Sequence, residues 1–313
     1  MEQINYTAVT YFIIKGISEK PELQAPIFFL ILLIYLICLG GNTMILLLVS
    51  LDPQLRTPMY FFLSNLSLID IFSTTVTLHN ILFSFISGDN TTSFISCMTH
   101  MYIFSSLQSD VLSILAVMGY DRYAAICNPL HYHMKMNQKN CLILATVSWV
   151  MGCMEATPLL VAILSFKCYK SNIIDHFFCD DMPLKKLICS DTTFLDLYIL
   201  IGGGLITCFT PFSLTFISYI FIINTIMRIN SSTGRHKAFY TCSSHLIVVI
   251  LLYTTIFCQY LTPESIDNLE SKKLFSLFNT AVVPILNPMI YSLKNKDVKS
   301  SLRRFLKEFK VSF

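Results

Sequence analysis

Apolar residues in this chain come in long blocks rather than at short intervals. Residues 25–50 read APIFFLILLIYLICLGGNTMILLLVS, and further blocks follow at 58–83, 97–120, 141–164, 195–227, 238–261 and 274–293. A helix that crosses a hydrocarbon core of about 30 Å needs about 20 mainly apolar residues, and each block meets that length. Blocks two, three and seven carry polar residues and are weaker alone than in series. The period-2 alternation of a membrane barrel is missing, as are the polar faces that water-soluble helices need. The pattern predicts an all-α fold: a seven-transmembrane helix bundle over 25–293, preceded by an N-terminal segment 1–24 and followed by a tail 294–313. In that tail Val298, Leu302, Phe305, Leu306 and Phe309 share one helical face and basic residues cover the rest. This predicts a short amphipathic helix lying on anionic membrane lipids.

Composition sharpens the picture. Of 313 residues 54% are hydrophobic and 13% charged, against about 25% charged in an average soluble domain; mean hydropathy is +0.62. A water-soluble globule and a disordered chain are both excluded. Lys15, Glu19, Lys20 and Glu22 interrupt the first 24 residues, so no cleavable signal is expected and the first block serves as targeting signal and span. The net charge of +3 is uninformative until it is placed. Fourteen of the 22 Lys and Arg residues fall in 51–57, 121–140, 228–237 and 294–313. By the positive-inside rule that side is cytoplasmic, so the C-terminus is expected inside and the N-terminus outside.

Two further features fit this orientation. Asn5-Tyr6-Thr7 and Asn90-Thr91-Thr92 are glycosylation sequons on the outer side, Asn5 being the favoured acceptor, whereas Asn65-Leu66-Ser67 and Asn230-Ser231-Ser232 fall within a span and on the inner side. Of eleven cysteines, seven lie in spans or at their inner ends; Cys97, Cys168, Cys179 and Cys189 lie on the oxidising side. An even number there points to disulfides, with three pairings open.

Ionisable groups within spans are expensive and face the bundle interior. They are Asp70, Asp110, Glu155 and, at the outer end of the fifth span, Asp196; Asn42 and Asn287 add neutral polarity. Asp70 is expected to meet Asn42 and Asn287 in a polar core, with Asp110 counted in it, able to hold a proton or a cation such as Na+ in one conformation of a two-state bundle. Asp121-Arg122-Tyr123 closes the third span with an expected ion pair that can break and free the Arg122 fork for a cytoplasmic partner. Asn287-Pro288-Met289-Ile290-Tyr291 closes the seventh, where Pro288 removes a donor and makes a hinge. No G-x-S-x-G elbow, phosphate loop or zinc spacing occurs, so no catalytic residue, resident metal or nucleic-acid role is expected.

Together these residues resemble a rhodopsin-type (class A) G-protein-coupled receptor, and within that class an odorant receptor. Gly41-Asn42, Asp70, Asp121-Arg122-Tyr123 and Asn287-Pro288-Met289-Ile290-Tyr291 carry the class. The strings LRTPMYFFLSNLSLID (55–70), MGYDRYAAICNPLHY (118–132), Ser218-Tyr219, KAFYTCSSHL (237–246) and PILNPMIYSLKNKDVK (284–299) carry the odorant branch. The chain departs from the pattern at Gly119 (usually Ala), Ala125 (usually Val) and Tyr240 (usually Ser). The glutamate many members carry on the third span is absent too. Val111 stands there and Asp110 precedes it; Asp110 and Asp121 share one helical stripe.

The resemblance implies pairings Cys97–Cys179 and Cys168–Cys189. A soft-metal site at His176-Phe177-Phe178-Cys179-Asp180 would then lose its thiolate. It implies that Arg122 contacts a heterotrimeric G protein, beside 127–133 and Arg235-His236-Lys237, and that Tyr219 and His245 belong to the activation relay with Asn287, Pro288 and Tyr291. It implies a ligand pocket in the outer half of spans three, five, six and seven. The matching residues are Phe104, Ser105, Gln108, Ser109, Gly203, Thr207, Tyr253, Ile256, Tyr260, Leu277 and Thr280. Phe104 stands where amine receptors place their acid, and the set suits a small, uncharged, mostly hydrophobic odorant oriented by one or two hydrogen bonds. Gly202-Gly203-Gly204 either makes room for the guest or loosens the fifth span. The implied activity is signalling through a stimulatory, olfactory-type G protein that raises cAMP, from a multi-pass plasma-membrane protein that uses trafficking chaperones. A class A receptor for a non-odorant metabolite is one alternative. A seven-span transporter or light-driven pump is disfavoured: no repeated halves are visible and 274–293 holds no lysine for a Schiff base.

Overall fold

The computed structural model describes residues 9–261, 269–294 and 296–311. Seven helices long and apolar enough to cross a membrane follow one another. The first four are Pro21–Leu51, Pro58–Ser87, Phe94–Cys127 and Gln138–Ser165. The fifth is Thr193–Met227 and the sixth Ser232–Leu261. The seventh runs through Leu269–Leu277, Phe278–Val282 and Val283–Lys294, and a tail helix, Lys296–Val311, follows. Ends are set by local chemistry. Pro21 and Pro58 occupy first-turn positions, where a missing N–H costs nothing. Ser93 Oγ accepts from Ser96 N at 3.1 Å and Asn137 Oδ1 from Asn140 N at 2.9 Å, capping the third and fourth helices. The second stops at Gly88, whose φ of 69° is the left-handed value that glycine reaches without strain.

The third helix is the axis: most of its residues are buried, and it touches the second, fourth, fifth and sixth helices. The main core joins Leu63, Leu66, Ile69, Leu112, Leu115, Val248 and Leu252. Outside, Phe29, Leu33, Leu200 and Phe216 stand exposed, a surface that water penalises and lipid accepts.

Two features depart from the sequence expectation. Tyr11–Ile14 pairs antiparallel with Thr91–Ser93 (Phe12 opposite Thr92) and parallel with Ile173–Ile174 (Ile14 opposite Ile174), making a small three-stranded sheet at the end predicted to face outward. Fully buried Phe12 anchors it against Phe94 and Tyr169. The fifth and seventh helices also widen to π-helix over Ile199–Phe209 and Phe278–Val282. The glycine triplet 202–204 lies inside the first of these.

At the other end the tail helix docks. Val298 is buried and Leu302 and Phe305 pack on the main core, whereas Leu306 of the predicted apolar face is exposed; the Phe309 side chain lies outside the described residues. Arg304 forms an ion pair with Asp52, and Tyr60 donates to Asp297 Oδ2 at 3.3 Å. Hydrogen bonds from Ser301, Arg304 and the Gln54 N–H hold the Asp52 carboxyl down at about 2.

Candidate functional site

By the orientation expected from the charge distribution, the strand end is termed outer and the tail end inner. The polar core assembles around the seventh helix. Asn287 Nδ2 donates to Asp70 Oδ2 at 2.8 Å, and Asn42 Nδ2 donates to the Pro284 carbonyl at 3.1 Å. Asn42 thus reaches the seventh helix but not Asp70 itself. The approach is close: a Cβ on Gly41 would stand 2.9 Å from Pro288 Cγ. Asn42 Oδ1, Ser73 Oγ and Asn287 Oδ1 are buried with no hydrogen-bond partner. Beside a carboxylate, such oxygens fit the donor set of a hard cation. Asp110, expected in the same core, is elsewhere. It lies against the fourth helix, where a Cβ on Gly152 would sit 2.1 Å from Asp110 Oδ1 and 2.5 Å from the Ser106 carbonyl. One helical face carries Asp110 toward Gly152 while Asp70 faces the seventh helix.

At the inner end three helices are joined through one imidazole. His245 on the sixth places Nε2 3.0 Å from the Leu115 carbonyl of the third, and its Nδ1 lies 2.9 Å from the Tyr219 hydroxyl of the fifth. The carbonyl needs a donor, so Nε2 carries the proton and Nδ1 accepts from Tyr219, whose single hydroxyl proton is shared with the Cys242 carbonyl at 3.2 Å. The two rings stack at 5.8 Å and 9°. Gly119 faces this junction; a Cβ there would meet Thr215 at 3.5 Å and His245 at 3.7 Å, ordinary contact distances. The usual alanine would fit.

The expected Asp121–Arg122 ion pair needs correction. Among the described residues no ion pair joins them. Asp121 is buried and accepts from the Tyr132 hydroxyl at 2.9 Å. Adjacent residues on a helix point about 100° apart, so Asp121 turns inward to the following loop. Tyr123 packs beside Ile222, Ile226 and Cys242 and against Phe221. The Tyr291 side chain lies outside the described residues.

The outer end is held covalently. Cys97 at the start of the third helix is bonded to Cys179, and Cys168 to Cys189. Of the three open pairings, this is the one the resemblance implies. Two ion pairs add straps, Asp175 to Lys273 at 2.5 Å and Asp196 to Lys185. Phe177 and Phe178 are pressed inward, Phe178 meeting Phe104 edge-on at 4.7 Å. Burial pushes the neutral His176 ring down to about 3. Burial raises both the Asp180 and Asp181 carboxyls, and the neighbouring Asp181 charge raises Asp180 further.

The ligand set implied by the resemblance divides here. Phe104 and Leu277 belong to the outer aromatic cluster under Phe178, with Thr280 beside it bonding the Ser276 carbonyl at 2.9 Å. Ser105 and Gln108 are half-buried on the third helix. Ser109, Gly203 and Thr207 converge on Glu155 of the fourth helix, a residue outside the implied set. Ser109 Oγ donates to Glu155 Oε2 at 2.5 Å, the Thr207 hydroxyl lies near the same carboxylate, and Gly203 faces Oε1. Tyr253 and Ile256 pack deeper, with Tyr253 edge-on to Phe212 at 5.0 Å and its hydroxyl unpartnered. Tyr253 also lines a cavity of about 190 Å3 between the fifth and sixth helices. A wider open groove of about 620 Å3 lies between the second and fourth helices around Trp149, whose indole donates to Asn65 Oδ1 at 3.1 Å. The Tyr260 side chain and Asn5 lie outside the described residues.

Comparison with known proteins agrees with this architecture. The family model described as olfactory receptor matches residues 31–309. Human Olfactory receptor 10A7 is 44% identical over 300 residues, covering 96% of this chain and 95% of the relative. Human Olfactory receptor 8U8 is 44% identical over 309 residues, covering 98% and 96%. Among solved structures, squid rhodopsin superposes with a TM-score of 0.70 at 17% identity, covering 93% of this chain and 88% of that one, a likeness of fold. Seven membrane helices, the inner histidine junction and the disulfide-tethered outer loop therefore go with a receptor rather than an enzyme, and the chain belongs to the olfactory receptor family.

Proposed function

We propose that this chain is an odorant-gated receptor of the plasma membrane, with its N-terminus outside and C-terminus inside. A small, mostly hydrophobic odorant binds in the outer half of the bundle, among Phe104, Ser105, Gln108, Ser109, Gly203, Thr207, Tyr253, Ile256, Tyr260, Leu277 and Thr280. It binds the active arrangement better than the resting one, and that difference in affinity shifts the population. The inner ends of the third, fifth and sixth helices then separate. Arg122 and its neighbours engage a stimulatory, olfactory-type heterotrimeric G protein, nucleotide exchange follows and cAMP rises.

The observation that carries this reading is the His245 junction, about two helical turns from Arg122. Tyr219, His245 and the Leu115 carbonyl link the three helices that must part, through two hydrogen bonds of 2.9 and 3.0 Å. Each is worth about 1 kcal/mol net, within what a ligand's differential affinity can overcome. Asp70, Ser73 and Asn287 would hold a sodium ion in the resting state, where the ion would neutralise the buried carboxylate. Trafficking chaperones and contact of the basic tail with anionic lipids complete the proposed partners.

The test is a cAMP reporter in cells that co-express the G protein and trafficking helpers, challenged with a broad odorant panel. Arg122→Ala is expected to abolish the response while surface staining persists. Equal signalling by that variant overturns the assigned role.

A further inference from the structure

A carboxylate among membrane helices is costly unless donors or an opposite charge surround it. Glu155 has donors for part of its capacity only. An ionised carboxylate offers about four acceptor positions. Ser109 fills one on Oε2 at 2.5 Å and Thr207 supplies a second contact. Tyr198, the next polar side chain on the fifth helix, is committed elsewhere: its hydroxyl donates to the Glu155 backbone carbonyl at 2.6 Å. Oε1 faces Gly203, where even a Cβ would stand 3.9 Å away, so position 203 leaves that side uncovered.

No base answers the charge. Among the described residues no ion pair includes Glu155. Its charged neighbour is an acid, Asp181 of the outer loop, and Lys185 of the same loop is held by Asp196. The local field thus favours a cation. The place is the one where three residues of the implied ligand set, Ser109, Gly203 and Thr207, come together. The fifth helix is widened to π-helix there, a distortion that accompanies functional sites.

We propose that Glu155 is the polar anchor of the pocket and that it selects small amines, an ammonium group on an aliphatic or aryl-alkyl body. The ammonium brings the missing charge and three donors to the Oε1 side, beside Gly203. The apolar body lies toward Phe104 and the aromatic cluster under Phe178. This rests on the reading of the chain as an odorant-gated receptor and adds the ligand class to it. Glu155 comes from the fourth helix, whereas position 104, on the third, carries Phe.

The test uses the full-length receptor in the cAMP assay, with surface level measured for every variant. The guests are size-matched: 2-phenylethylamine, 2-phenylethanol, phenylacetaldehyde and phenylacetic acid, and the corresponding hexyl series. The amine is expected to act at an EC50 at least ten-fold below the alcohol, with the acid silent. Glu155→Gln keeps the shape and removes the charge; it is expected to raise the amine EC50 more than ten-fold and to leave any aldehyde response within three-fold. Gly203→Val, which covers Oε1, is expected to weaken the amine likewise. If E155Q does not reach the surface, Glu155→Asp gives the same readout, because it withdraws the carboxylate by one methylene. An unchanged amine EC50 in E155Q, or a receptor that answers other odorants but no amine, overturns the anchor alone. Silence to every guest of a broad odorant panel overturns the receptor reading, and the anchor with it.

Discussion

The outer and inner halves of the bundle are built by different means. The outer half is fixed by bonds between distant segments: two disulfides, a sheet drawn from the N-terminal segment and two loops, and the straps Asp175–Lys273 and Asp196–Lys185. The helices it encloses depart from regular geometry at Ile199–Phe209 and Phe278–Val282. The inner half has regular helices joined by single hydrogen bonds, such as Tyr219 to His245 and Tyr132 to Asp121. A rigid rim around distorted helices suits a pocket that must keep its shape. A regular bundle with weak, separable joints suits an end that must open. The two disulfides are costly to break; a neutral hydrogen bond is worth about 1 kcal/mol net, and a partly exposed ion pair no more than that.

The contrast can be tested from its largest expected effect downward. Replacing Cys97 and Cys179 together by Ser removes a crosslink spanning 82 residues. In the loop-entropy picture this costs about 4 kcal/mol, read as lost surface expression and a lower melting temperature. The Cys168 and Cys189 pair, spanning 21 residues, is expected to cost less, about 3 kcal/mol; the reverse order would break the view of Cys97–Cys179 as the main tether. Next is Gly152→Ala. Its methyl would meet Asp110 Oδ1 at 2.1 Å and backbone at 2.5 Å, so about 3 kcal/mol of overpacking is expected. A melting temperature within about 2 °C of wild type would show that the two helices part easily.

Tyr219→Phe removes the hydroxyl from the inner junction and is expected to cost about 1 kcal/mol. Ligand-free cAMP is expected to change while odorant affinity at the outer end holds; a large affinity loss with unchanged basal signal would sink the division of labour. The smallest effect concerns pH at the outer rim. His176 is held neutral, with its folded value at about 3 against an ordinary 6.5. Stability from this group is present above 6.5 and is lost as pH falls toward 3. Asp180 and Asp181 act oppositely, because their raised values favour the protonated, packed state as pH falls toward the ordinary 3.8. His176→Phe is expected to remove the acid-side loss, raising the melting temperature at pH 4.5 by roughly 3 °C with little change at pH 7.5.

Much of this was legible beforehand. Seven spans could be read because each must bury about 20 residues in lipid whatever its neighbours are. The helices overrun the blocks, Phe94–Cys127 against 97–120 for example, because the polar ends stay helical beyond the hydrocarbon. Asn287 beside Asp70 and Tyr219 beside His245 lay within motifs. The sheet did not: Tyr11–Ile14 is too short to stand out, and its partners lie some 80 and 160 residues away. Asp110 was placed on the right stripe but toward the wrong neighbour, because Gly152 became its partner only once the two helices packed. Glu155 was visible as a carboxylate within a span, but not its convergence with Ser109 and Gly203.

The sequence by itself determined the membrane as solvent, the number and order of the spans, and the family, since apolar length and ordered motifs act locally along the chain. The tertiary structure alone decided which face of each helix meets which neighbour. It thereby decided that Asn287 satisfies Asp70, that Tyr132 holds Asp121, and that Glu155 looks across an open glycine. Helix rotation is set by the sum of contacts among all seven, and no single segment contains that sum.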